Sequence, residues 1–288
     1  MGLKIQTIKD IRIYLASELA TSLYEPELTS VINIVIRDVL GISNITAFIM
    51  NEYPVSDSHL ERIIQICKEL KDGRPVQYVL GETYFYDCRI RLKGVELIPR
   101  PETEELVDII IKENQGFSGT ILDIGTGSGC IAIALAANLK DAKVTAIDIS
   151  PAALDSAREN ALLNNVNVSF LQADILSSAL ILPGETGIIV SNPPYVRNSE
   201  KAFMSRNVLD FEPHTALFVP DSEPLLFYRV ILNQATRALQ PGGLIYFEIN
   251  EALGKEMREL FVTFGYADIS LIRDLNSKER FIKGRKNV

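Results

Sequence analysis

From residue 120 onward, short apolar runs alternate with stretches of helical periodicity. The runs have the length and β-branched content of buried strands, and they span residues 120–124, 143–147, 168–172, 187–190, 244–249, 267–273 and 280–282. Helical stretches separate most of them, and Ser150 followed by Pro151 has the form of a helix N-terminus. This alternation predicts an α/β fold, in which a parallel sheet carries helices on both faces.

The first 75 residues differ, because their apolar residues recur at helical spacing. Ile8 to Leu19 form one such stripe, and Pro26 opens a second helix that ends near Gly41. A short helix is expected at residues 45–50, and a capping box at residues 58–61 predicts the start of another. We therefore expect a small helical domain over residues 1–75, with a role in recognition or structure.

Residues 76–101 change character again. Apolar and charged residues alternate over residues 89–92, behind an aromatic run at 84–86, and this pattern predicts a β-hairpin. We expect the hairpin to link the helical domain to the α/β domain, which opens with a helix at Pro101. The predicted boundaries are 1–75 for the helical domain, 76–101 for the hairpin linker and 102–288 for the α/β domain.

Composition argues against several classes of protein. Lys and Arg total 29 against 37 Asp and Glu, and the resulting net charge of −8 disfavours a nucleic-acid-binding surface. The three cysteines form no C-x-x-C pair and the two histidines lie far apart, so we expect neither disulfides nor a metal site. The sequence contains no signal-peptide core and no apolar run long enough to span a membrane, so we expect a reduced, cytoplasmic protein.

A glycine turn follows the first strand of the alternation. Residues 123–129 read Asp-Ile-Gly-Thr-Gly-Ser-Gly, and glycines permit a tight turn and close approach of the backbone to a ligand. The dinucleotide fingerprint G-x-G-x-x-G would need a glycine where Cys130 stands. Asp123 would also repel a pyrophosphate but attract a cofactor with an amine and a sulfonium. The turn therefore favours S-adenosylmethionine over NAD.

Polar residues also follow the next strands. Asp148 ends the second strand, where a carboxylate can accept both hydroxyls of a ribose, and Asp174 follows the third. Because the carboxyl ends of parallel strands lie at one edge of a sheet, we expect these residues to surround one cofactor. The predicted cofactor-binding residues are Asp123, Gly125, Thr126, Gly127, Ser128, Gly129, Asp148, Asp174 and Asn192.

The fourth strand ends in the stretch Ser-Asn-Pro-Pro-Tyr at residues 191–195. Asn192 precedes a proline and is pushed out of the helical region, while Pro193 and Pro194 have fixed φ angles and no N–H donor. The stiff corner that results offers the Asn192 side-chain oxygen and nearby main-chain carbonyls as acceptors, with the Tyr195 ring as a flat wall. Such a corner suits a planar –NH2 group, and we predict that Asn192, Pro193 and Tyr195 take part in catalysis.

These motifs resemble those of the class I S-adenosylmethionine-dependent methyltransferases. Asn-Pro-Pro-Tyr is the pattern of members that methylate planar nitrogens, either adenine amino groups or glutamine amides. A wider match covers residues 75–82, 85–86, 98–104 and 211–213, whose sequences are similar to those of the peptide chain release factor glutamine methyltransferase family.

The resemblance implies a small helical N-terminal domain, a β-hairpin linker and a Rossmann-like seven-stranded methyltransferase sheet. It also implies that the substrate is the glutamine of the Gly-Gly-Gln motif of release factors. By match of motif, Gly125 to Gly129, Asp148, Asp174 and Ile175 hold the cofactor, and the corner from Asn192 to Tyr195 holds the glutamine.

The sequence departs from the family pattern at two places. The family often has glycine after the Glu-Ile of the fifth strand, but Asn250 follows Glu248 and Ile249 here. The stretch 220–224 lacks the glycine-rich form that the family leads us to expect. We interpret Glu248 as structural support near the site and His214 as a loop residue.

Other functions stay open at this point. The corner alone does not distinguish adenine from glutamine, so an adenine-N6 methyltransferase that acts on nucleic acid is the first alternative. The glycine spacing disfavours an NAD-dependent oxidoreductase, and a binding protein without activity is a further alternative. We expect release factors as the protein partner, no stable binding to nucleic acid or membrane, and a monomer.

Overall fold

The computed structural model describes residues 5–287, apart from the side chain of Asn44. The chain forms two compact units. The first contains the described residues up to Gly81 together with Ser205–Phe211, and the second contains Glu82–Met204 and the described residues from Glu212 onward. Residues 1–4 of the predicted N-terminal domain and residue 288 of the predicted C-terminal domain lie outside the described residues.

The first unit is helical. Its helices in chain order are α1 (Ile8–Leu19), α2 (Glu25–Leu40), α3 (Asn44–Ile49), α4 (Asp57–Lys71) and α5 (Val76–Leu80). The predicted stripe of α1 is fully buried, and Gly41 ends α2 with a φ of 64°. The predicted capping box at 58–61 is wrong, because the Ser56 side chain accepts from the backbone N–H of His59 and α4 therefore starts earlier.

The second unit opens with the predicted hairpin, which consists of β1 (Glu82–Phe85) and β2 (Cys88–Arg91) in antiparallel pairing. The remaining strands are β3 (Thr120–Ile124), β4 (Lys143–Asp148), β5 (Val168–Gln172), β6 (Thr186–Ser191), β7 (Val196–Arg197), β8 (Phe218–Val219), β9 (Leu239–Glu248), β10 (Tyr266–Arg273) and β11 (Glu279–Lys286). The later helices are α6 (Pro101–Glu113), α7 (Cys130–Asn138), α8 (Pro151–Leu163), α9 (Arg206–Phe211, in the first unit), α10 (Leu226–Ala238) and α11 (Gly254–Thr263). Short 3-10 helices span Asn198–Phe203 and His214–Ala216.

Seven strands form one sheet in the order β10-β11-β9-β6-β3-β4-β5. The expectation of a wholly parallel sheet is wrong at one end, because β11 pairs antiparallel with both β9 and β10. Only a tight turn joins β10 to β11, in which Asp274 accepts from the backbone N–H groups of Asn276 and Lys278. A turn of this length permits only antiparallel pairing, whereas the parallel strands are joined by helical crossovers.

Apolar packing on the sheet fixes the ends of its strands. One buried cluster joins Leu122 of β3, Ile189 of β6 and Phe247 of β9 to Tyr228 and Ile231 of α10. Strands β3, β4, β5 and β6 run parallel, so their carboxyl ends lie at the same edge. The glycine turn, Asp148, Asp174 and Asn192 all follow or end these four strands, as the sequence predicts.

Two further properties concern the described residues alone. No helix within residues 5–287 is both long enough and apolar enough to cross a membrane. In the same part of the chain, no group of His, Cys, Asp and Glu side chains is arranged to hold a metal ion. The three cysteines, Cys67, Cys88 and Cys130, are buried.

Candidate active site

The glycine turn after β3 combines an open surface with a tightly packed base. Gly127 has a φ of 55°, and no atom lies within 4 Å of the position that a Cβ would take there. Gly129 has a φ of 83°, and a Cβ there would lie 2.9 Å from the Cβ of Ala157 on α8. The turn therefore packs against α8 at its end and leaves its middle accessible to a ligand at close range.

Asp148 holds this turn in place. Its Oδ2 atom accepts from the backbone N–H of Gly127 at 2.8 Å, and its Oδ1 atom accepts from the backbone N–H of Ser150 at 2.9 Å. Each carboxylate oxygen has a second lone pair, so Asp148 retains the capacity to accept hydroxyl groups as well. The half-buried side chain thus fits the predicted role toward a ribose.

Asp123 lies at the end of β3 and is completely buried. Its Oδ2 atom accepts from the Thr126 hydroxyl at 2.6 Å, while Oδ1 has no hydrogen-bond partner among the described residues. The pKa of Asp123 is raised to about 7, mainly by burial and also by the charge of Asp148, while the hydrogen bond from Thr126 and, more weakly, the Ala132 N–H act to lower it. That N–H does not meet the usual geometric limits for a hydrogen bond to Oδ1 of Asp123.

These features fit S-adenosylmethionine. A buried acceptor that has no partner among the described residues lies just before an accessible glycine turn, and a second carboxylate, Asp148, lies at the next strand end. Two acidic side chains disfavour a pyrophosphate and suit a cofactor that carries ammonium and sulfonium charges. The residues present are therefore suited to this cofactor.

The other predicted cofactor residues have different surroundings. Ser128 is buried, and its carbonyl accepts from the Asn160 side chain at 3.0 Å. Asp174 is exposed and accepts from the backbone N–H of Leu176 at 2.9 Å, while the side chain of Ile175 packs on the apolar cluster of the sheet. Within the described part of the chain, no hydrogen bond joins Asp174 to the glycine turn, so its role toward the cofactor stays a prediction.

The Asn-Pro-Pro-Tyr corner begins directly after β6. The Ser191 hydroxyl donates to the carbonyl of Ile124 at 2.6 Å and ties the end of β6 to the end of β3. Asn192 is half-buried, and its Nδ2 atom donates to the Thr103 hydroxyl oxygen at 3.2 Å. The Tyr195 hydroxyl donates to Oε1 of Glu248 at 2.9 Å.

Glu248 ends β9 and is only 1% exposed. Its second oxygen, Oε2, accepts from the Thr103 hydroxyl at 2.6 Å. Burial raises the pKa of Glu248, whereas the bonds from Thr103 and Tyr195 and the charge of Arg280 lower it. Burial, together with the negative charge of Glu248, raises the pKa of Tyr195 well above its usual range, so this phenol stays protonated.

The sequence analysis did not identify Thr103. This residue lies in the first turn of α6 and is 3% exposed. A signal was present, because Thr103 precedes Leu106 and Val107 by three and four positions and so shares their buried helix face. A hydroxyl on an apolar stripe indicates a buried polar contact, although its partners do not follow from the pattern.

Two separate parts of the family motif meet at Glu212, which is 4% exposed. Its Oε1 atom pairs with Nη2 of Arg100 at 2.5 Å, and its Oε2 atom accepts from the backbone N–H of Ile98 at 3.2 Å. These contacts fix the segment just before α6, and hence the start of the helix that carries Thr103.

The residues at the departures from the family pattern also have defined contacts. Asn250 donates through Nδ2 to Oε2 of Glu200 at 3.1 Å and, more weakly, to the carbonyl of Tyr195 at 3.4 Å. Asp221, within 220–224, accepts from the backbone N–H of Ser199 at 3.0 Å. The His214 ring packs edge-on against Phe218, with 5.2 Å between ring centroids.

Comparisons with known proteins identify the family and the fold of this chain. The family model of the PrmC N-terminal domain matches residues 10–81, and the model of the methyltransferase small domain matches residues 102–210. The solved catalytic domain of hMettl16 has a TM-score of 0.53 at 14% identity, over 83% of this chain and 85% of that one, so the two share a fold.

Relatives of known name match nearly the whole chain. The release factor glutamine methyltransferase of Flavobacterium psychrophilum is 44% identical over 280 residues, which cover 96% of this chain and 98% of that protein. The protein of the same name from Bacteroides thetaiotaomicron is 42% identical, over 92% of this chain and 95% of its own. At this identity and coverage, the chain belongs to the release factor glutamine methyltransferase family.

Proposed function

We propose that this protein transfers a methyl group from S-adenosylmethionine to the side-chain amide nitrogen of the glutamine in the Gly-Gly-Gln motif of release factors. The observation that carries the proposal is the tethered side chain of Asn192, whose nitrogen is held by Thr103 just beyond the end of β6. Its oxygen is thereby directed away from Thr103, and no described residue donates to it. The relatives named above support the choice of substrate.

In this proposal, Asn192 and Pro193 recognise the substrate amide by its two hydrogens. Oδ1 of Asn192 and the carbonyl of Pro193 each accept one N–H, and the Tyr195 ring lies beside the amide plane. The nitrogen lone pair, otherwise delocalised into the substrate carbonyl, is turned out of conjugation by these contacts. Both hydrogen bonds strengthen as the nitrogen gains positive charge, which stabilises the transition state more than the bound substrate.

The cofactor is held mainly by Asp123, the turn from Gly125 to Gly129, Asp148, Asp174 and Ile175, and Asn192 lies beside it. When bound, S-adenosylmethionine supplies a methyl group on a positively charged sulfur and leaves as S-adenosylhomocysteine once that methyl is bonded to the amide nitrogen. Fixing substrate and cofactor in line contributes at most about 7–11 kcal/mol to lowering the barrier. No residue has to act as a base, because the N-methylated amide cation loses its proton readily to water.

Further parts of the proposal concern the partner and the place of action. The helical range 1–75 recognises the release factor, and the hairpin in 76–101 links it to the catalytic range 102–288. The net charge of −8 favours a protein substrate over stable binding to nucleic acid. We propose a monomer that acts in the cytoplasm, where release factors work on ribosomes.

Transfer of radiolabelled methyl groups tests the proposal directly. The purified protein is incubated with labelled S-adenosylmethionine and a release factor, and mass spectrometry locates the modified residue. We expect label on the glutamine of Gly-Gly-Gln, and none on a release factor that carries alanine there. Duplex DNA and RNA serve as alternative acceptors, and label on adenine in place of the protein would favour the adenine-N6 methyltransferase.

A variant of the corner sharpens this test. Asn192→Ala should lower kcat on the release factor by about 100-fold or more, because one of the two acceptors and its alignment are lost. Its dissociation constant for S-adenosylmethionine, measured by calorimetry, should stay close to that of the wild type. An equal loss of binding and turnover would instead assign a structural role to Asn192.

A further inference from the structure

The direction of the hydrogen bonds behind Asn192 is set by Glu248. An ionised carboxylate can only accept hydrogens, and both of its oxygens do so, Oε1 from Tyr195 and Oε2 from Thr103. The Thr103 hydroxyl has a single hydrogen, which is committed to Glu248. Its oxygen is then left only as an acceptor toward the neighbouring side chain.

The bond between Thr103 and Asn192 therefore has one possible polarity. Asn192 must turn its –NH2 group toward Thr103, at 3.2 Å, and this orientation directs Oδ1 to the opposite side. A flipped amide would set the oxygen of Asn192 against a hydroxyl oxygen that has no hydrogen left to donate. Such a contact between two acceptors would be costly, because Thr103 is only 3% exposed and water cannot supply the missing hydrogen.

We propose that Thr103 and Glu248 are positioning residues, which hold the Asn192 amide so that its oxygen faces the nitrogen to be methylated. This inference rests on the proposed function and deepens it. Neither residue touches the substrate in the proposed complex, and both act through Asn192. Glu248 has a second effect, because it also holds the hydroxyl of Tyr195, the wall of the same corner.

Burial raises the pKa of Glu248, and the hydrogen bonds from Thr103 and Tyr195 together with the charge of Arg280 oppose that rise. Arg280 stabilises the ionised form from β11, and it is itself paired with Asp274 at 3.2 Å and with Glu251 at 3.0 Å. Glu102, in the first turn of α6, opposes ionisation by its like charge. If Glu248 were protonated, it could donate to Thr103, and the Thr103 hydrogen could then reverse the Asn192 amide.

The test compares substitutions of Thr103 that differ in the hydroxyl group. Thr103→Val keeps the shape but removes the hydrogen-bond relay, and we expect kcat on the release factor to fall by about 10- to 100-fold. Thr103→Ser keeps the hydroxyl and should stay within about threefold of the wild type. Thr186→Val is the matched control, because it removes a buried hydroxyl that bonds the carbonyl of Pro183 at the opposite end of β6.

A double-mutant cycle separates positioning from a general structural effect. If Thr103 acts through Asn192, Thr103→Val should cause no further loss of turnover in the Asn192→Ala background. The dissociation constant for S-adenosylmethionine should change by less than about twofold in Thr103→Val, Thr103→Ser and Thr186→Val. Should Thr103→Val fail to fold, as judged by circular dichroism, Thr103→Ala replaces it in the same cycle.

The outcomes are distinct. An inactive wild type on the release factor would overturn the proposed function, and this inference with it. An active wild type that Thr103→Val leaves unchanged, or losses that simply multiply in the double variant, would overturn the inference alone. The inference is supported if Thr103→Val lowers kcat and Thr103→Ser does not, and if Thr103→Val causes no further loss of kcat once Asn192 is alanine.

Discussion

Two buried carboxylates at the candidate site differ in how their oxygens are satisfied. Both oxygens of Glu248 accept hydroxyl hydrogens, whereas Asp123 has one oxygen paired with Thr126 and one without a partner among the described residues. Buried polar atoms without partners are uncommon, and they occur often at functional sites. The contrast agrees with a positioning role for Glu248 and a ligand-facing role for Asp123.

The raised pKa of Asp123 makes a prediction about stability. Its pKa is about 7 in the folded protein, against an ordinary value of 3.8, so between these values the folded state holds a proton that the unfolded state has lost. The contribution of this group to stability is therefore fully present below about pH 4 and is lost as the pH rises to about 7. As the pH rises through this range, we expect the free energy of unfolding of the wild type to fall relative to that of Asp123→Asn, by at most about 1.4 kcal/mol per pH unit.

Urea unfolding of the wild type and Asp123→Asn at several values between about pH 5 and pH 7 measures this difference. The difference between the two free energies of unfolding excludes the titration of all groups that the two proteins share. Parallel pH dependences in the two proteins would show that Asp123 does not titrate in this range.

At the level of elements, the turn between β3 and α7 is fixed by packing at one end. Gly129 is the N-cap of α7 and has a φ of 83°, and a Cβ there would also lie 3.1 Å from Cδ1 of Ile133. Gly127 has a positive φ as well but has open space around it. Substitutions at the two glycines therefore distinguish the free-energy cost of backbone strain from the cost of steric crowding.

Gly129→Ala should destabilise the protein more than Gly127→Ala does. Both variants incur about 1–2 kcal/mol for a left-handed backbone conformation, and Gly129→Ala adds about 1–3 kcal/mol from overpacking against Ala157. The midpoint and slope of urea unfolding give the free energy of unfolding of each variant. Equal losses would mean that α8 moves away from the turn without cost.

The strands and the glycine turn could be predicted because their signals are local. Thr120–Ile124 and Val168–Gln172 are found as predicted, and Ser150 caps α8 by accepting from Ala153. The position of β11 between β9 and β10 could not be predicted, because strand order does not appear in local periodicity. The predicted strand at 244–249 also starts too late, because β9 begins at Leu239 and continues through Pro-Gly-Gly at 241–243.

The candidate site was predicted in its loops but not in the side chains behind them. Asn192 and Tyr195 stand out in the sequence because a double proline fixes their backbone. Thr103 lies 89 residues from Asn192 and 145 from Glu248, and only the tertiary fold brings these three together. A spacing rule cannot identify such contacts, so the hydrogen bonds that connect Glu248 to Asn192 through Thr103 are evident only from the tertiary structure.

At the scale of the whole molecule, the chain consists of two compact units, each with its own buried apolar core. The break at Gly81 and Glu82 falls inside the predicted linker 76–101, whose first residues form α5. The segment Ser205–Phe211 belongs to the first unit although it lies far along the chain. No composition change marks that segment in the sequence.

The core of the first unit can be tested on one helix. Ile11 of α1 is fully buried and Ile13 is 48% exposed. Ile11→Ala should destabilise the first unit by about 2–5 kcal/mol, because it leaves a cavity, whereas Ile13→Ala should change the stability by less than about 1 kcal/mol.

Hydrogen exchange of peptides from residues 5–81, followed by mass spectrometry, reports the stability of this unit separately. Faster exchange in Ile11→Ala and near-wild-type exchange in Ile13→Ala is the expected result. If both variants exchange alike, α1 does not pack in the core as described.

The tether of Asn192 restricts which residue types that position can accommodate. Its inner side must give a hydrogen to Thr103, and in the proposed complex its outer side must receive one from the substrate. Among short side chains, only a carboxamide has opposite polarities on its two ends. An aspartate would present lone pairs on both sides, and a serine would be too short to span them, so Thr103 on one side and the substrate amide on the other together select asparagine.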